Sequence, residues 1–171
     1  SREPGGTTLG QQLRNHIQHG PDDVDPRTET LLYAADRAYH VATLLRPALA
    51  RGATILEDRY IDSSVAYQGA ARDLGAEEIR SLSQWATEGR EPEGALRFDI
   101  DPTRGLARVA ATGESLDRLE RAGSQFHARV REEYLRIAAQ FPERFIVVDA
   151  AAPVEKVFED VVDSLLRRLE R

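Results

Sequence analysis

The chain has 171 residues, 41% of them hydrophobic and 30% charged, with twelve glycines and eight prolines, the make-up of one soluble globular domain with enough apolar material for a core. It has no cysteine and a formal net charge of −6, which excludes a disulfide framework, a thiolate zinc site and a cysteine nucleophile, and argues against a general binder of polymeric nucleic acid. No apolar run approaches the roughly 20 residues of a membrane span, and the N-terminus has no signal-like basic and apolar regions; the expectation is a cytoplasmic protein with no membrane partner.

In chain order, a polar, glycine-rich opening (Ser1 to Thr8) leads into a helix with Leu9, Leu13 and Ile17 on one stripe, closed by His19 and Gly20. Asp25 and Pro26 form a cap and first turn, after which Leu31, Ala35, Ala38, Val41, Ala42, Leu45 and Leu49 keep helical spacing up to Gly52. Ala53 to Leu56 reads as a short buried parallel strand ending in Glu57 and Asp58. Ser63 to Leu74 and Ala76 to Ala86 are helical segments parted by Gly75, and Leu96 to Ile100 is a weaker strand before a second Asp-Pro cap. A helix from about Gln125 to Gln140, a strand over Phe145 to Val148 and an amphipathic closing helix from Val154 to Leu169 complete the pattern. Strands alternating with helices imply an α/β domain with a parallel sheet, and ligands of such sheets bind beyond the strands' C-terminal ends.

That rule directs attention to two loops. Arg2-Glu3-Pro4-Gly5-Gly6-Thr7 allows close backbone approach at a helix entrance; read alone it is also simply a glycine-rich turn. Asp58-Arg59-Tyr60 offers a carboxylate for hydrated Mg²⁺ and a forked donor for phosphate, or a rim ion pair. Tyr33 and Arg37 share a helix face, and Ser64, Tyr67 and Gln68 share a turn, so each set suits a polar planar ligand or an ordinary half-buried face. His16 and His19 read as solvated helix-end residues, and His40 and His127 have no triad-like company in the sequence. No G-x-S-x-G turn occurs.

Taken together, R-E-P-G-G-T, L-L-Y-A-A-D-R-A (Leu31 to Ala38), D-R-Y (Asp58 to Tyr60) and D-S-S-V-A-Y-Q-G (Asp62 to Gly69) stand in the order and spacing of bacterial thymidylate kinases. The chain resembles that family, and the likeness continues through Gly105 to Arg108, Asp117 to Glu120, Phe126 to Tyr134 and Val147 to Ala150. The resemblance implies a P-loop NTPase-like parallel sheet flanked by helices and a single nucleoside-monophosphate-kinase domain over residues 1–171. The implied reaction transfers the γ-phosphoryl of ATP to dTMP, with Mg²⁺. By position, Tyr33 stacks on thymine, Arg37 hydrogen-bonds the base, Ser64 and Gln68 line the base pocket, and Tyr67 lies against the deoxyribose. Arg14 and Arg59 hold the acceptor phosphate, while Glu3 and Asp58 are carboxylates near the transfer site, with Asp58 acting on Mg²⁺ indirectly. Arg108 and Arg118 belong to a lid over about residues 108–123, and Arg118 joins Asp58 and Arg59 as catalytic. Homodimer formation is also implied, with the stripe from Leu31 to Leu49 as a candidate interface.

The sequence departs from the family pattern in three places. Lys156 is the sole lysine, so these residues contain no G-x-x-x-x-G-K-[ST] phosphate cradle; with a start at Ser1 rather than Met, the chain reads as processed, truncated or excerpted, lacking a first strand and P-loop helix. Gly94 and Arg97 weaken one strand or turn it partly to solvent. Around Ala110, Ala111 and Thr112 the lid has few arginines. The competing expectations are a non-catalytic nucleotide-binding or assembly module, and an incomplete polypeptide that folds only in part.

Overall fold

A computed structural model of the chain describes residues 1–111, 113 and 116–169; the expected lid residue Thr112 lies outside them. Helix α1 (Thr8–His19) begins where the Thr7 hydroxyl accepts from Gly10 N–H at 2.9 Å. Helix α2 (Pro26–His40) begins where Asp25 accepts from the N–H groups of Arg27 and Thr28. It widens into a π-type turn over Val41–Leu45, continues as α3 (Arg46–Ala50), and stops at Gly52, whose φ of +77° suits glycine. Helix α4 (Ile61–Ser64) runs into a second π-type turn over Val65–Ala71, followed by α5 (Ala76–Ala86). Next come strand β1 (Ala95–Asp99), helix α6 (Pro102–Ala111), helix α7 (Ser124–Gln140), strand β2 (Phe145–Asp149) and helix α8 (Val154–Leu169).

The strands pair in parallel, from Ala95 beside Phe145 to Asp99 beside Asp149. They form a two-stranded sheet among the described residues. The strand expected over Ala53–Leu56 is not formed. That segment lacks regular structure and Leu56 is 82% exposed. Among the described residues its ladder-like partners are the first residues: the Ser1 amino group donates to Leu56 O, Asp58 N–H donates to Ser1 O, Glu3 N–H donates to Asp58 O, and Arg2 and Asp58 make an isolated parallel bridge. An extended segment with so short a partner does not become a sheet strand.

The departure at Arg97 has a clear physical form. Leu96 and Phe98 are the solvent-facing residues of β1, while Arg97 and Asp99 turn toward α7. There the Arg97 guanidinium lies 4.4 Å from the Tyr134 ring centre, and Asp99 takes a bidentate pair from Arg131 at 2.6 and 2.8 Å. A strand that reads as polar-in and apolar-out is held by these cation contacts.

The π-type turn Val65–Ala71 is the hub of the core. Ala66 and Ala71 pack with Leu119, Phe126 and Val130, whereas Val65 packs with Ile61, Ile79 and Ile137. Each such branched side chain contributes about 1.5–3 kcal/mol of burial. The apolar stripe of α2 and α3 divides: Val41 and Leu45 are buried, but Leu31, Ala35, Tyr39, Ala42 and Leu49 face outward.

Candidate acceptor-binding site

The site is built around Arg37, which α2 presents 2% exposed. Its Nε donates to Glu3 Oε2 at 2.7 Å, Nη1 donates to the hydroxyls of Ser64 and Ser83, and Nη2 donates to Tyr60 O. A guanidinium carries five N–H groups, so these bonds leave one N–H on Nη2 for a ligand. Segments far apart in sequence are thereby drawn to one point: the opening loop, α2, the loop after Asp58, α4 and α5.

Behind Glu3 lies a second layer. Glu3 Oε1 is 3.0 Å from His40 Nδ1, and His40 Nε2 is 2.7 Å from Ser1 Oγ. The expectation that His40 lacks triad-like company is therefore corrected, because its partners come from residues 37 and 39 positions upstream. Burial pushes His40 down, but the Glu3 hydrogen bond and the charges of Glu57, Glu3 and Asp36 more than offset it, so its pKa is raised. Burial also raises Glu57 to about 7, against the opposing pull of His40. Both Glu57 carboxylate oxygens are shielded without a hydrogen-bond donor.

On the opposite wall, Arg59 has φ +67°, a left-handed conformation that few non-glycine residues adopt. Its guanidinium lies 5.1 Å from the centre of the Tyr67 ring. Tyr67 in turn meets Tyr134 edge to face, and Tyr134 hydroxyl and Ser63 Oγ are 2.6 Å apart. Tyr33 completes this wall, and burial raises its phenol well above the usual range. Glu3, Tyr33, Arg37, Arg59, Ser63, Ser64, Tyr67 and Gln68 line a single narrow cleft.

Comparison with known proteins bears on what this cleft belongs to. Residues 1–161 match the family model described as thymidylate kinase. The thymidylate kinase of Leifsonia xyli subsp. xyli is 54% identical over 161 residues, covering 94% of this chain and 76% of that protein. The thymidylate kinase of Bacillus pumilus is 45% identical over all of this chain and 82% of its own length. The chain belongs to the thymidylate kinase family.

Of the acceptor residues expected for a thymidylate kinase, Glu3, Tyr33, Arg37, Arg59, Ser64, Tyr67 and Gln68 share the cleft. Arg14 does not line it; Arg14 Nη1 donates to Pro4 O at 3.1 Å, behind the opening loop. Arg108, expected in a lid, instead donates to Ala150 O and Ala151 O beyond the end of β2. Arg118, expected among the catalytic groups, is also outside the cleft lining. Its Nε donates to Ile17 O, and Nη2 forms an ion pair 2.6 Å from Glu29 Oε2, without the alignment of a hydrogen bond. A guanidinium so engaged is a structural tie in this arrangement.

The Mg²⁺ that thymidylate kinases use with ATP needs hard oxygen donors. Asp58 fits: its backbone is held by the bridge to the opening residues, its side chain has no hydrogen-bond partner among the described residues, and the residue is exposed. Donor atoms of Glu3, His40 and Glu57 also lie within 4.8 Å of one another, but a cation there would displace the Glu3–His40 hydrogen bond, and an imidazole ligand suits zinc better than magnesium.

Sequence reasoning missed Ser63, Ser83 and Glu29. Ser63 could have been found from its place in the D-S-S motif. Glu29 reads locally as an ordinary first-turn acid, yet it is fully buried.

Proposed function

We propose that this chain carries the acceptor site of a cytoplasmic dTMP kinase. Its cleft takes dTMP, and the reaction moves the γ-phosphoryl of ATP to the dTMP phosphate: a new phosphorus–oxygen bond forms to that phosphate as the bond to the ADP leaving group breaks. The observation that carries this reading is the convergence of Glu3, Tyr33, Arg37, Arg59, Ser64, Tyr67 and Gln68 on one cleft in a chain of this family. Tyr33 supplies a ring face for the base, the remaining Arg37 N–H and Gln68 meet its edge, Tyr67 packs against the sugar, and Arg59 faces the phosphate, while Arg14 holds the opening loop from behind through Pro4 O. Bound Mg²⁺ would neutralise charge on the phosphates, with Asp58 orienting it through water. Positioning and charge neutralisation provide most of the acceleration in such transfers.

Titration calorimetry with dTMP and with ATP tests this directly. Binding of dTMP by the folded chain is the expected result, and its absence overturns the reading. A second reading, a nucleotide-binding module without phosphotransfer, is favoured by β1, where Arg97 turns inward and Leu96 and Phe98 face outward. Joining the chain to a P-loop strand and helix from a relative separates the two: turnover supports the kinase, and continued inactivity with intact dTMP binding supports the module.

We also propose a homodimer through the outward stripe of Leu31, Ala35, Tyr39, Ala42 and Leu49. Sedimentation equilibrium, with Leu31→Glu as the disrupting variant, reads this out. No helix of the described residues is long and apolar enough to cross a membrane.

A further inference from the structure

Glu29 sits in the first turn of α2, wholly buried. Its Oε1 accepts from Gln68 Nε2 at 2.8 Å, while Oε2 lies 3.2 Å from Arg72 Nη2 and 2.6 Å from Arg118 Nη2. Flanked by two guanidiniums, this carboxylate presents acceptors on both oxygens. Gln68, 1% exposed, lies on the π-type turn and lines the cleft.

A glutamine amide has two orientations that differ by exchanging its oxygen and nitrogen, and its neighbours decide between them. Here one orientation places Nε2 against Glu29 as donor to acceptor. The exchanged orientation sets the amide oxygen against a carboxylate oxygen at the same 2.8 Å separation, two acceptors in contact where water cannot intervene. The Gln68 orientation is therefore fixed from behind. Its Oε1 takes no hydrogen bond from any described residue, which leaves an acceptor for the ligand.

We infer that Glu29 is a positioning residue: by holding Gln68 Nε2 it makes the cleft read a hydrogen-bond donor on the edge of the base. The inference rests on the dTMP reading given above and deepens it. Thymine has such a donor at N3–H. Cytosine has a bare acceptor at N3, so a fixed amide oxygen rejects it, and a methyl group on thymine N3 removes the donor. A pocket that pairs a buried polar group discriminates against a base that leaves that group unpaired.

Titration calorimetry of the unmodified chain with dTMP, dCMP and N3-methyl-dTMP tests this. The expected result is that the last two bind about tenfold or more weakly than dTMP. In Glu29→Gln the new amide can donate to Gln68, the Gln68 amide can turn, and its N–H then meets the cytosine N3. The dTMP-to-dCMP affinity ratio is expected to fall by about tenfold, a change that general loosening of the fold does not produce because it weakens both ligands alike. Circular dichroism and melting establish that the variant is folded. An unchanged ratio in the folded variant overturns the assignment. Should the variant not fold, equal binding of dTMP and N3-methyl-dTMP by the unmodified chain overturns it, and weakened binding of the methylated base supports it. Failure of the folded, unmodified chain to bind dTMP at all overturns the acceptor-site reading itself and this inference with it.

Discussion

Arg37 Nε lies 2.7 Å from Glu3 Oε2, with the two side chains 2% and 1% exposed. This ion pair joins the opening loop to α2 at the floor of the cleft, and both partners have further hydrogen bonds that make the pair hard to remove piecemeal. Removing one member of a buried pair leaves an uncompensated charge, which costs more than the pair itself is worth.

Arg37→Met is accordingly expected to lower stability by about 3–5 kcal/mol, because Glu3 loses its cation and Tyr60 O, Ser64 and Ser83 lose donors. Urea unfolding followed by circular dichroism measures it. A loss below about 1 kcal/mol would show that the network closes without the guanidinium.

Stability is expected to fall as pH rises from about 5 to 8. The Glu57 carboxyl has a folded pKa of about 7 against its ordinary 4.5, so the folded state binds more protons across that window, and the free energy of unfolding declines with pH. His40 acts in the same sense: its raised pKa gives stabilisation that is complete below its ordinary 6.5 and is lost as pH climbs through the folded value. Asp36, raised by burial, adds to the decline. The Glu57 contribution is about 2 kcal/mol after allowing for partial solvation. Glu57→Gln should flatten the profile, read as urea midpoints at intervals of one pH unit.

A bidentate pair anchors the entrance to β2. Arg144 donates from Nη1 and Nη2 to the two Asp62 oxygens at 2.7 and 2.8 Å, and its guanidinium lies over Phe145 and beside Phe141. Lysine keeps the charge but not the fork or the stacking. Arg144→Lys is expected to cost about 1–3 kcal/mol, measured by thermal melting, and a neutral outcome would remove geometry from the explanation.

Gly10 faces the buried Asp36 carboxylate so closely that a Cβ there would overlap Asp36 Oδ1. Gly10→Ala therefore displaces the group that accepts from Gly5 N–H. The helix gains propensity from alanine, but overpacking dominates, with an expected net loss of about 1–3 kcal/mol. Gly20→Ala meets His16 O instead and provides a comparison in which no carboxylate moves.

The helices were legible because their caps are local: Asp25 with Pro26 and Thr7 with Gly10 announce their own starts. Strand β2 was likewise marked by its apolar run. Ala53–Leu56 shows the limit, since a strand needs a neighbour and no residue within the segment encodes one. Seven of the expected cleft residues could be placed together because family motifs carry long-range information. Glu29 escaped because it looks solvated in its own turn and is neutralised only through contacts far along the chain, with Arg72 and Arg118, and the pairing of Arg118 with it was hidden for the same reason. The two π-type turns left no sequence signature that we recognise, although one of them positions Gln68.

The backbone tie between Ser1–Glu3 and Asp58 has a mechanical corollary. Glu3 and Asp58 stand on two segments splinted to each other by main-chain hydrogen bonds, so a displacement of one carries the other along. Movement there is then a rigid shift of both segments rather than the bending of separate hinges.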